Sequence, residues 1–110
     1  MINPNSRLIP VGANALFTCK FRNVLHPYWK INKTEASNVF NKDYLRMKGF
    51  FIDQVSPIAT SDGIVTLTLT VNGSYDGVNN TRIECKTQTP DVASQAATIF
   101  TIAGILLREK

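Results

Sequence analysis

The chain has 110 residues, the size of one domain built around a single core. With 44% hydrophobic and 18% charged residues, it is neither a highly charged disordered tail nor a coiled coil. The net charge of +4 comes from basic residues spread from Arg7 to Lys110, which excludes the clustered basic footprint of a nucleic-acid binder.

Residues 1–7 contain no basic stretch followed by an apolar run, so no signal peptide is read there; a secreted protein would make this chain a piece of a longer one. Residues 16–22 alternate Phe17, Cys19 and Phe21 against Thr18, Lys20 and Arg22, the period-two mark of a half-buried strand. Residues 27–32 set Trp29 and Ile31 against Tyr28, Lys30 and Asn32. The stretch 34–57 is the least legible: residues 42–51 suit either one helical turn or a short strand, and Phe50, Phe51 and Ile52 are expected in the core, the alternative being an exposed apolar patch. Residues 65–71 are the cleanest strand, with Val65, Leu67, Leu69 and Val71 on one face and Thr66, Thr68 and Thr70 on the other. Residues 82–88 oppose Ile83, Cys85 and Thr87 to Arg82, Glu84, Lys86 and Gln88. Residues 98–102 place Phe100 and Ile102 on one side, Ile99 and Thr101 on the other. Turn signals at 11–14, 61–63, 72–73, 75–77 and 89–91 separate these runs, the punctuation of a β-sandwich or barrel. The apolar stretch 99–107 is too short for the ~18 residues of a membrane span and reads as a buried strand running into a linker.

Cys19 and Cys85 admit one pairing, and the alternative is two buried free thiols in a cytosolic domain. A zinc site is not expected, because His26 is the only further nitrogen ligand and four ligands are needed. Three Asn-x-Ser/Thr sequons, at Asn32, Asn72 and Asn79, favour an oxidising, secretory setting together with the cysteines.

Cys19 on one alternating strand, Trp29 ten positions later on the next, and Cys85 on a strand near the end together resemble an immunoglobulin superfamily domain across essentially the whole chain, 1–110, as a single domain. The resemblance implies an all-β Greek-key sandwich of two antiparallel sheets, with Cys19 and Cys85 bridging strands B and F and Trp29 of strand C packed on the bridge. Residues 16–19 resemble strand B, 28–31 strand C, 66–71 strand E and 98–104 strand G. The spacing of the cysteines suits a variable-like or intermediate set with room for strand C′, and residues 75–85 resemble invertebrate receptor and adhesion domains more than antibody domains. The family's Asp-x-Gly/Ala-x-Tyr-x-Cys before the second cysteine is here 79–85, with Asn79 for the Asp and Ile83 for the corner tyrosine. The tyrosine's hydrogen bond is therefore lost, and Tyr75 is a candidate aromatic cover nearby.

An enzyme is not expected. His26 is the only histidine, no nucleophile-elbow, P-loop or zinc-protease motif occurs, and Asp53, Asp62, Asp76 and Asp91 are dispersed. Neither cofactor nor metal is implied. A surface remains. On parity, one sheet presents small polar residues, and the C–F–G sheet presents Tyr28, Lys30, Arg82, Glu84, Lys86 and an exposed Ile99, where Tyr and Arg are the residue types favoured at interfaces. The expected role is an extracellular recognition module of a receptor or adhesion protein, within a longer membrane-anchored or secreted chain, that binds a protein partner, its own kind included, through this face. Asn32, with outward parity, would stand at the edge of that sheet. The competing role is an intracellular structural repeat, its cysteines reduced, acting as a spacer in a cytoskeletal protein.

Overall fold

The computed structural model describes residues 5, 7–53, 59–88, 93 and 97–102. The expected turn at 89–91 and the segment 103–110 lie outside the described residues.

Among the described residues, the fold has eight strands, one helix and one 3-10 turn. The strands are β1 (Arg7–Pro10), β2 (Asn14–Arg22), β3 (Tyr28–Ile31), β4 (Thr34–Glu35), β5 (Phe50–Ile52), β6 (Ile64–Asn72), β7 (Thr81–Lys86) and β8 (Ala97–Ile102). The helix α1 (Val39–Met47) lies between β4 and β5, and the 3-10 turn (Asp76–Val78) between β6 and β7. Five strands form one sheet in the order β1-β8-β7-β3-β4, and three form the other in the order β2-β6-β5. All pairs are antiparallel except β1 with β8, which is parallel, so one expected antiparallel sheet is mixed at its edge.

The two long strands β2 and β6 pair over nine residues, from Asn14↔Asn72 to Arg22↔Ile64. Their inward sets, Phe17, Cys19 and Phe21 with Val65, Leu67, Leu69 and Val71, are all buried, as the alternation dictates. Trp29, Ile31, Ile83 and Cys85 meet them from the facing sheet.

Residues 42–51 contain both of the expected alternatives, the end of a helix followed by a strand. Asn38 caps α1, its Oδ1 accepting from the Asn41 backbone N–H at 2.9 Å. The helix stops at Gly49, whose φ of +101° is left-handed and whose N–H donates to the Arg46 carbonyl at 3.1 Å. Leu45 is the only fully buried side chain of the helix, and Phe50 and Ile52 of β5 are buried beyond it. A Cβ on Gly49 would lie 2.8 Å from the Cβ of Tyr75. Tyr75 in turn meets Phe51 edge-on, with ring centroids 6.3 Å apart, so its aromatic cover goes to the β5 end of the smaller sheet. Gly49→Ala should therefore lower stability by more than about 1 kcal/mol, through both the left-handed backbone and the contact with Tyr75. Urea denaturation of the two proteins measures it, and an unchanged midpoint would contradict the geometry.

Candidate functional site

Cys19 of β2 and Cys85 of β7 are joined by a disulfide that links the two sheets, with Cα atoms 6.5 Å apart. In the chain-entropy view, closing a loop with a sequence separation of 66 stabilises the fold by roughly 4 kcal/mol. Trp29 is the strand partner of Cys85, and all three residues are fully buried. The indole N–H of Trp29 has no acceptor among the described residues, so the ring contributes bulk rather than a hydrogen bond. Ile83 stands at the corner-tyrosine position and is also fully buried, giving core volume in place of the missing phenol.

The larger sheet's outer face decides where the expected partner surface lies. Outward parity on β7 belongs to Arg82, which is exposed, and to Glu84 and Lys86, which are half-buried. Lys30 of β3 is half-buried directly across from Glu84, an opposite-charge neighbour pair. Two of the expected face residues must be corrected. Ile99 is not exposed; it is fully buried. The pairing of β7 with β8 sets Thr81 opposite Ile99 and Ile83 opposite Ala97, and paired residues share a side, so Ile99 and Ala97 point inward with buried Thr81 and Ile83. Phe100 takes the outward place and is 43% exposed, beside Leu8, its partner on β1, at 65%. Tyr28 is also covered, at 9% exposure, with its hydroxyl donating to Glu35 Oε2 at 3.5 Å. The exposed apolar residues of this face are therefore Phe100 and Leu8, not Ile99 and Tyr28.

The sequon asparagines share a geometry that the sequence does not reveal. Asn32 is not on a strand edge; it opens the two-residue turn between β3 and β4, where Ile31 pairs with Thr34, and adopts a left-handed φ of 54° that asparagine tolerates. Its Oδ1 accepts from the Arg82 N–H at 3.0 Å, while its own N–H donates to the Arg82 carbonyl at 2.7 Å. Asn72, at the end of β6, accepts from the Ser74 N–H at 2.8 Å, and Asn79 accepts from the Thr101 N–H at 2.9 Å. All three lie at the end of the sandwich where β3 and β6 finish and β7 begins. In each, the carbonyl oxygen holds the backbone and the amide nitrogen, the atom that carries an N-linked sugar, makes no part of that bond. Where the family's Asp would stand, Asn79 thus ties the β6–β7 connection to β8.

The outer face of the smaller sheet is less bare than its threonines imply. Leu16, Phe51, Ile52, Asp53, Thr68 and Thr70 line a shallow groove of about 240 Å³, below the ~300 Å³ lower bound of small-molecule pockets. Among the described residues, no three His, Cys, Asp or Glu side chains come together as a metal site. His26 sits in the β2–β3 loop with a left-handed φ of 55°. No described helix is long and apolar enough to cross a membrane.

Two packed sheets, a disulfide between their facing strands and a buried tryptophan paired with its second cysteine define an immunoglobulin-fold domain. No protein-family model matches the sequence, and no curated protein matches it. Among solved structures, the chain is similar to the N-terminal Ig1-2 module of the Drosophila receptor protein tyrosine phosphatase DLAR, with a TM-score of 0.63 and 17% identity over 93% of this chain and 47% of that one. It is likewise similar to the tandem Ig repeats of Dlar, with a TM-score of 0.60 and 18% identity over 92% of this chain and 46% of that one. The chain thus spans a little under half of each of these two-module structures.

The asparagine geometry separates two effects that a routine sequon knockout confounds. In unglycosylated protein, Asn79→Gln should cost about 1 kcal/mol by displacing the acceptor from Thr101, whereas Asn79→Asp, which keeps it, should cost much less. Denaturant midpoints of the two variants check this, and equal loss in both would contradict an acceptor role.

Proposed function

We propose that this domain is an extracellular recognition module of a cell-surface receptor or adhesion protein. It engages a protein partner through the outer face of the larger sheet. The observation that carries the reading is the composition of that face: exposed Arg82, with Lys30, Glu84 and Lys86 around it, beside the exposed Phe100 and Leu8. An apolar pair at the β1 edge with charge of both signs beside it is a combination that can give a recognition surface both affinity and register. The paired cysteines support an oxidising compartment, and the likeness to Ig modules of a receptor phosphatase supports a receptor or adhesion setting. The three sequon asparagines are the proposed glycan carriers, all at one end of the sandwich; Asn32 lies next to Arg82 and Asn79 next to Thr101, so sugars there would border this face at that end. Neither cofactor, metal nor nucleic acid enters the reading.

Two measurements test it. Intact mass of protein from a secretory host, with and without deglycosylation and reduction, should show one disulfide and sugar on the sequons; free thiols without sugar would favour the cytoskeletal-spacer role. A bivalent form of the domain, probed against an array of cell-surface ectodomains, should find a partner whose binding falls at least tenfold with Arg82→Glu or Phe100→Ala while the melting temperature holds. Binding that survives both substitutions would move the interface off this sheet.

A further inference from the structure

Helix α1 carries its apolar residues on the wrong side for a core. Phe40, Tyr44 and Met47, spaced i, i+4, i+7, form one stripe and are 87%, 50% and 75% exposed; Val39 beside them is 63% exposed. Only Leu45 is buried from the opposite side. With aromatic side chains of ~150–250 Å² each, these four residues leave roughly 500 Å² of apolar surface, toward the top of the ~300–600 Å² range for a monomer's largest patch. Apolar residues this exposed on so short a helix add nothing to folding.

We propose that this stripe is a self-association surface that pairs two copies of the chain across a two-fold axis, helix against helix and antiparallel. The pattern is self-complementary. About an axis near Tyr44, Phe40 of one copy meets Met47 of the other, a thioether against an aromatic ring, and the two Tyr44 side chains flank the centre. The neighbouring stripe, Val39, Asp43 and Arg46, then lies against the same stripe of the second copy running in reverse. Asp43 and Arg46 are 3.7 Å apart within one chain, both more than half exposed, and each reaches its opposite charge across the axis. Antiparallel packing also sets the helix dipoles head to tail. An external anionic partner is the poorer fit, because the centre of the surface is apolar and its nearby bases are already engaged, Arg46 with Asp43 at 3.7 Å and Lys48 over the Tyr44 ring at 5.5 Å. Two such helices bury about 1,000 Å² in total, the lower limit for a specific interface. The pair is therefore weak and reversible, with a dissociation constant of about 10 μM to 1 mM, as suits a surface that acts when copies are concentrated side by side. This surface is separate from the face assigned to a partner and does not rest on that assignment.

Sedimentation equilibrium of the oxidised, unglycosylated chain from about 10 μM to 1 mM should show a monomer–dimer equilibrium within that range. Phe40→Ser with Met47→Ser should weaken it at least tenfold while circular dichroism and the melting temperature stay unchanged, since neither side chain is buried. Arg82→Glu, on the sheet face, should leave it intact. The charge stripe gives the sharper arm. Asp43→Arg alone and Arg46→Asp alone should each weaken the homodimer, and an equimolar mixture of the two should associate more tightly than either. A monomer throughout the range, a dimer that survives Phe40→Ser with Met47→Ser, loss of the dimer with Arg82→Glu, or a mixture no tighter than its components would each overturn the proposal.

Discussion

The register of β7 against its two neighbours is the constraint from which the larger sheet follows. Pairing with β3 sets Cys85 beside Trp29 and so directs the bridge to Cys19 across the sandwich. Pairing with β8 sets Ile83 beside Ala97 and so turns Ile99 inward and Phe100 outward. Because side chains alternate every residue, a slip of one position would exchange the core and the outer face together. The same strand also anchors the end that holds the sequons, since Arg82 exchanges two backbone-directed hydrogen bonds with Asn32. Core, outer face and sequon end are thus three readings of one alignment.

How much of this was legible in the sequence depended on contrast within each strand. In the middle of β2 and β6, from Phe17 to Arg22 and from Val65 to Val71, every second residue is apolar and the others are Thr, Lys or Arg, so parity and burial are unambiguous there. In β8 the run Ala97–Ile102 is apolar on both sides, and hydrophobicity alone cannot orient it; the register with β7, a non-local fact, does. Helix α1 was obscured for the opposite reason. Its core contact is the single Leu45, while Phe40, Tyr44 and Met47 place the apolar signal on the solvent side, so no period of 3.6 pointing inward exists to be read. The charged members of the face, Lys30, Arg82, Glu84 and Lys86, were readable from parity. The covering of Tyr28 was not, because it comes from residues brought in by the fold, Glu35 among them.

The two exposed apolar surfaces differ in kind. Phe100 and Leu8 lie side by side on a paired strand edge and are framed by charge of both signs, which suits a partner of defined shape. The α1 stripe is narrow, convex and mirrored in its own sequence, which suits a copy of itself. The two proposed contacts therefore share no side chain. The fold permits this because β4 is only two residues long, leaving the chain from Ala36 to Gly49 free to form a helix outside both sheets.

The close fit at the end of β6 has a chemical consequence. Asn72-Gly73 is the dipeptide most prone to spontaneous deamidation, in which the glycine nitrogen attacks the asparagine side chain and expels ammonia. Here the Gly73 N–H is committed to the Ala13 carbonyl at 2.8 Å, and the Asn72 side chain is held by the Ser74 N–H. The attacking nitrogen and its target are each tied to other atoms, so the native turn shields a bond that the unfolded chain leaves open. In a molecule without sugar on Asn72, that conversion therefore proceeds mainly while the protein is unfolded, and the aspartate or isoaspartate it leaves marks chains that have been outside their native state.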